Sequence, residues 1–289
     1  MMGIGNENWG PQYLERLRRF TAALKSRYPE IRLVNSSGTD PEGERFDLLN
    51  TNLRAMHADI IDEHYYRSPD WFLKNAGRYD NYPRTGSRIF AGEYAAQGVK
   101  TTSPDNRNTW QTALAEAAFM TGLERNADVV TMASYAPLFA HIDGWQWTPD
   151  LIWVDNLRSY GTPDYYVQQL FSTNKGTQVV PVEMNDKVIE GQDSLYASSC
   201  MDGSDELVIK LVNVSGVSRP CSLALDGRRK VMPQGRLTVL RGADLGQTNN
   251  FDQPTNVAPR ESALRVDGRR LAVVLEPYSV SVVRVKLGK

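Results

Sequence analysis

The hydrophobic period of this 289-residue chain changes once, near residue 175, and that change limits the folds open to it. Before it, short apolar runs alternate with stretches in which apolar residues return every third or fourth position. This is the pattern of an α/β fold with a parallel sheet. Beyond it, alternating runs separated by Gly, Pro, Asn and Asp occupy residues 207–212, 237–240, 271–275 and 280–285. Short strands with regular turn signals predict an antiparallel β-sandwich. Two domains are expected, residues 1–174 and residues 175–289, near the usual size of about 150 residues each.

Within the first part, Gly10-Pro11 opens a helix, proline being well placed in a first turn. Tyr13, Leu17, Phe20 and Leu24 give it one apolar face, and Pro29 ends it. A strand at residues 31–34 leads to a second helix with Phe46, Leu49, Leu53 and Met56 on one face. A third strand, residues 58–66, turns polar and aromatic at its end, and a short aromatic helix or loop follows to Tyr79. Residues 88–95 read as a buried strand of a parallel sheet. Asn106 or Asn108 is the expected cap of a long helix with Trp110, Leu114, Ala117 and Thr121 on a small-residue face. After a strand at residues 129–135 comes a long aromatic loop with His141, Trp145, Trp147 and Trp153. Its tryptophans suit either stacking on sugar faces or simple packing. Thr162-Pro163-Asp164 starts a last helix through Tyr165, Leu170 and Phe171.

Composition excludes more than it proposes. With 33 Lys and Arg against 34 Asp and Glu, the net charge of -1 gives no reason to expect nucleic acid or an anionic membrane as partner. No apolar run approaches the roughly 20 residues that span a bilayer. Cys200 and Cys221 could pair in an oxidising compartment, but two thiols do not imply one. His57, His64 and His141 show no zinc-ligand spacing, so neither a metal nor another cofactor is expected. Met1-Met2 runs directly into Gly3-Ile4-Gly5 without the features of a signal peptide, which leaves the compartment open.

Two carboxylates stand out chemically. Glu93 follows the apolar run that climbs to Gly92, and a glutamate at such a strand end lies on the catalytic face of a barrel. Glu7 likewise follows a Gly-rich strand end, with Asn6 just before it. Either alone suits an ordinary salt bridge; together they are what glycoside hydrolysis requires. His64 and Tyr66, two apart on a strand, share a face and are candidates for the same site.

Residues 5–8 (Gly-Asn-Glu-Asn), 62–66 (Asp-Glu-His-Tyr-Tyr) and 92–95 (Gly-Glu-Tyr-Ala) together resemble glycoside hydrolase family 51, the α-L-arabinofuranosidases. The run from Asn249 to Pro254 and on through Val257-Ala258-Pro259 is similar to that family's sandwich domain. The resemblance implies a (β/α)8 TIM barrel with an appended β-sandwich, and release of terminal arabinofuranosyl units with retention of configuration. It makes Glu7 the general acid/base and Glu93 the nucleophile. Asn6 would bind a sugar hydroxyl, His64 and Tyr66 would line the site with the tyrosine holding the nucleophile, and Asp150 matches a sugar-contacting position loosely. Retention needs two carboxyls about 5 to 5.5 Å apart in different protonation states. A tyrosine hydroxyl donating to Glu93 would favour its ionised form and leave Glu7 as proton carrier.

In that family the Asn-Glu pair closes strand four. The resemblance therefore implies an incomplete barrel, from about strand 4 onward, of about 170 residues where a barrel typically takes about 250. The expectation is the C-terminal portion of a longer enzyme, with little activity alone. Its open sheet edge would need cover, a homo-oligomer being one way to supply it. Another retaining glycosidase (a xylanase or endoglucanase) and a non-catalytic carbohydrate-binding fragment are the alternatives.

Overall fold

The apolar runs of the first half become one five-stranded sheet. Its strands are β1 (Met2–Ile4), β2 (Leu33–Ser36), β3 (Ile60–Arg67), β4 (Arg88–Ala96) and β5 (Val130–Ala133), neighbours in that order. The pairs β1/β2, β2/β3 and β4/β5 are parallel, and β1 and β5 stand at the two edges. The computed structural model describes residues 1–203 and 205–288. They divide into two units that interleave along the chain. The first is Met1–Tyr66, Tyr79–Ala95 and Asn126–Ala136; the second is Arg67–Arg78, Ala96–Arg125 and the chain from Pro137 onward.

In the first unit, helices α1 (Pro11–Arg27) and α2 (Glu44–Ala55) follow β1 and β2, so each strand returns parallel to the last through a helix. The helices form where the apolar spacing predicts them. Leu49 and Leu53 of α2 are fully buried, as are Ile60, Ile61, Ile89 and Ala91 of the sheet. One expectation fails on α1. Tyr13, Leu14 and Leu17 are buried but Phe20 is 57% exposed, because the stripe that α1 buries is narrower than its apolar face.

The second unit contains α3 (Pro69–Lys74), α4 (Trp110–Arg125) and α5 (Pro163–Thr173). Helix α4 is buried on every side from Thr112 to Leu123, not on one small-residue face, because α3, α5 and a β-sheet all pack on it. Gly122 lets the chain at Ala76 approach, since a Cβ there would lie 1.8 Å from the Ala76 carbonyl oxygen. The N-cap of α4 is neither asparagine. Thr109 Oγ1 accepts from the Thr112 amide at 3.3 Å, while Asn106 braces the preceding loop by accepting from the Val99 amide and donating to Lys100 O.

The expected aromatic loop is a small sheet, β6 (Phe139–His141), β7 (Ile152–Val154) and β8 (Ser159–Gly161), with β7 central. Further along come β9 (Gln178–Val179), the hairpin β10 (Glu183–Met184) and β11 (Lys187–Val188), and β12 (Leu195–Asp202). The rest are β13 (Glu206–Asn213), β14 (Arg219–Ala224), β15 (Val231–Arg241), β16 (Arg260–Arg265), β17 (Arg270–Leu275) and β18 (Ser279–Leu287). Six of them form one sheet in the order β16-β15-β18-β13-β12-β9, and β14 pairs antiparallel with β17.

Alternation explains the burial. Leu207, Ile209 and Leu211 of β13 join Leu271, Val273 and Leu275 of β17 in one apolar core. The opposite face of β13 meets α4, and there Lys210 is fully buried. Its Nζ lies 2.6 and 2.8 Å from the two Glu124 carboxylate oxygens, donates to Asn174 O at 2.7 Å and sits 5.2 Å from the Phe171 ring centroid. Cys200 and Cys221 are free thiols, and burial pushes the first up to about 12. Among the described residues no helix is long and apolar enough to cross a membrane.

Candidate active site

The site is built at the strand ends of the first unit. After β1, Gly5 takes φ +79°, and a Cβ there would lie 1.8 Å from Asn8 Oδ1. The Asn8 amide donates to Ser36 Oγ at 3.0 Å, which ties this turn to the end of β2. Between them Glu7 adopts φ 51°, a left-handed conformation uncommon outside glycine and concentrated at functional sites. On β3 the two-residue repeat separates two sets of side chains. Glu63 and Tyr65 face one way, where Glu63 accepts from the hydroxyls of Tyr65, Tyr79 and Tyr82 at 2.5, 3.0 and 3.2 Å. Asp62, His64 and Tyr66 share the other face.

His64 stands at the centre of that face, its side chain 1% exposed. Nδ1 lies 3.1 Å from Glu7 Oε1 and 3.6 Å from Glu93 Oε2, and Nε2 lies 3.4 Å from Asp62 Oδ2. Burial opposes charge on the ring, but the carboxylates of Asp62, Glu7 and Glu93 outweigh it and hold His64 up at about 9. At neutral pH both ring nitrogens therefore carry protons and donate. Tyr66 donates its hydroxyl to Glu93 Oε2 at 2.7 Å, and burial together with Glu93 and Glu7 pushes its own ionisation well up. The nearest side-chain atoms of Glu7, His64 and Glu93 all lie within 4.8 Å of one another.

This arrangement fits acid–base and nucleophilic chemistry better than metal binding. Two carboxyls and an imidazole this close could ligate a cation. A histidine ligand must be neutral, however, and the three carboxylates around His64 favour its charged form. What remains is a pair of half-exposed carboxyls joined through a buried cation, one of them also gripped by a tyrosine. Asn6 is exposed and makes no side-chain hydrogen bond among the described residues. Asp150 belongs to the second unit, where it is buried; burial raises its carboxyl to about 6, and its Oδ2 has no hydrogen-bond partner among the described residues.

Comparison with known proteins points the same way. Residues 92–279 match the family described as α-L-arabinofuranosidase C-terminal domain, and residues 1–84 match the α-L-arabinofuranosidase 1 domain. The chain belongs to the α-L-arabinofuranosidase family. An extracellular exo-α-L-arabinofuranosidase of Streptomyces chartreusis is 49% identical over 179 residues, 62% of this chain and 21% of that protein. α-L-Arabinofuranosidase 1 of Arabidopsis thaliana is 32% identical over 288 residues, 97% of this chain and 40% of that protein. An arabinose-bound GH51 α-L-arabinofuranosidase superposes with a TM-score of 0.84 at 30% identity, over 99% of this chain and 45% of that one. An α-L-arabinofuranosidase of Thermotoga maritima shares the fold, with a TM-score of 0.80 at 18% identity over 99% and 66%. This arabinofuranosidase-family chain thus spans about two fifths of the length of its Arabidopsis relative.

Two residues of the site were not singled out from sequence. Asp62 is one, although strand alternation puts it on the face of His64 and Tyr66 and so held the signal. Gly92 is the other. A Cβ there would lie 1.9 Å from Asp62 Oδ1, so the glycine before Glu93 makes room for the carboxylate that grips His64. No local pattern reveals that, because the two residues meet across neighbouring strands.

Proposed function

We propose that this chain carries the catalytic carboxyl pair of a retaining exo-acting α-L-arabinofuranosidase, a hydrolase that releases terminal non-reducing α-L-arabinofuranosyl units. The observation that carries the reading is the separation of Glu7 and Glu93, within 4.8 Å at their nearest atoms and bridged by one buried histidine. Retaining glycosidases hold their carboxyls about 5–5.5 Å apart, whereas inverting ones leave about 6.5–9.5 Å for a water. Glu93 attacks the anomeric carbon while Glu7 gives its proton to the departing oxygen. Glu7 then takes a proton from the water that frees the sugar. The Tyr66 hydroxyl, donating to Glu93 Oε2 at 2.7 Å, holds that carboxyl in one orientation, which suits a nucleophile. Asn6, exposed beside Glu7, is free to meet a sugar hydroxyl, and Asp150 is proposed as a further sugar contact.

The five-stranded sheet is read as a segment of a (β/α)8 barrel, with residues 1–174 as the catalytic domain and residues 175–289 as the sandwich domain. The superposition on GH51 enzymes supports this.

Labelling with a mechanism-based arabinofuranosyl inhibitor tests the roles. The peptide bearing Glu93 should gain the sugar mass, and a label on any other residue sinks the assignment. In an enzyme of full family length, Glu93→Ala should recover turnover with azide and give the inverted product. Glu7→Ala should spare activated aryl arabinofuranosides and slow substrates with poor leaving groups by about 10²–10⁴-fold.

A further inference from the structure

We infer that the cleft between the β6–β8 sheet and residues 248–250 is a sugar-binding site of the second unit, which takes a neutral pentose oligosaccharide. The cleft lies wholly within the second unit and holds about 280 Å³. That is near the lower end of small-molecule sites, about 300–1,000 Å³, and suits one or two sugar units. Its walls are the rings of Trp145, Trp153 and Tyr160, and its rim includes Arg107, Thr248 and Asn250.

A sugar presents C–H groups on its ring faces and hydroxyls at its edge, so it needs flat apolar walls with hydrogen-bonding groups at their margins. The cleft supplies both. Trp153 and Tyr160 are cross-strand partners on β7 and β8, and side chains so paired project to one face. Trp145 stands at 74° to Trp153 with ring centroids 6.2 Å apart, which makes two walls of a corner. Trp145 is 38% exposed, so its ring is not consumed by packing.

The rim is rigid and has donors to spare. Asn249 fastens the 248–250 segment by donating to Gly161 O at 2.9 Å and Val257 O at 3.0 Å, and by accepting from the Val257 amide at 2.7 Å. Asn250 Oδ1 accepts from the amides of Asp252 and Gln253, which orients the amide, and its Nδ2 meets no partner among the described residues. Arg107 Nη1 is used on Pro104 O and Asn106 O, while no bond holds its Nη2 among the described residues. Among the described residues no carboxylate lines the cleft, so nothing there favours a cationic ligand. The choice of pentose rests on the proposed function; the amphipathic chemistry of the cleft does not.

The test titrates the full 289-residue chain carrying Glu93→Gln with α-1,5-arabinotriose and, separately, with xylotriose. Tryptophan fluorescence and calorimetry read the binding. We expect saturable binding, weakened about tenfold or more by Trp145→Ala and largely restored by Trp145→Phe, which keeps a flat ring. Asn250→Ala should weaken it severalfold. No binding of either sugar, or equal affinity in the parent and Trp145→Ala, overturns the inference. The label on Glu93 is read separately, so a chain that binds arabinotriose but takes no label keeps the cleft and loses the catalytic reading.

Discussion

His64 owes its charge to its neighbours, and that makes it the residue whose effect on stability should move most with pH. Its folded value of about 9 lies above the ordinary 6.5 because the carboxylates of Asp62, Glu7 and Glu93 outweigh burial. A group raised on folding binds its proton more tightly in the native state. Its contribution, on the order of 3 kcal/mol, is therefore full below about pH 6.5 and lost as pH rises through 9. Melting temperatures between pH 6 and 10 should show a gap between the parent and His64→Gln that closes towards pH 10; a constant gap refutes it. Tyr66 acts on a single atom, Glu93 Oε2. Hydrogen bonds to charged groups are worth about 1.5–3 kcal/mol, so Tyr66→Phe should slow glycosyl-enzyme formation by about 10- to 100-fold. Single-turnover kinetics with an aryl arabinofuranoside would measure it, and an unchanged rate would remove Tyr66 from the support of Glu93.

At the scale of elements, β3 and β4 act as one device. The Asp62–His64 contact on β3 exists because β4 carries a glycine opposite it. Gly92→Ala places a methyl 1.9 Å from Asp62 Oδ1, so the strands must part or the carboxylate must turn away from His64. Overpacking of this kind costs about 1–3 kcal/mol. Urea unfolding should show that loss, and the variant's His64 should titrate lower by NMR once Asp62 is displaced. Wild-type values for both would mean that the strands relax freely. Helix α4 shows how far local signals reach. Its position was legible from the apolar spacing around Trp110. Its cap was not, because Asn106, Asn108 and Thr109 all suit an N-cap and only the backbone course selects Thr109. Phe20 failed for a related reason. Periodicity finds an apolar face, but the neighbours decide how wide a stripe of it is covered.

At the scale of the molecule, the second unit is joined through a buried ion pair that no local pattern announces. Lys210 sits inside an alternating strand, where a lysine reads as solvent-facing, yet helix α4 covers that face and Glu124 meets it there. Removing one partner strands the other charge, so Lys210→Met should cost about 3–5 kcal/mol in chemical denaturation. The double change Lys210→Met with Glu124→Leu should recover most of it; if the double variant is no better than the single, the pair is not what the site requires. The sequence by itself determined the order of helices and strands, the switch from α/β to all-β spacing, the family, and the names Glu7, His64, Tyr66 and Glu93. These rest on period, turn chemistry and short motifs, all encoded within a few residues. Only the tertiary structure decided that His64 is shared by three carboxylates, that Gly92 exists to admit Asp62, that Lys210 is buried, and that three aromatic rings frame a cleft with Asn250. Each of those depends on residues distant in the chain meeting through close packing, and local sequence carries no record of which distant atoms will fill the space beside it.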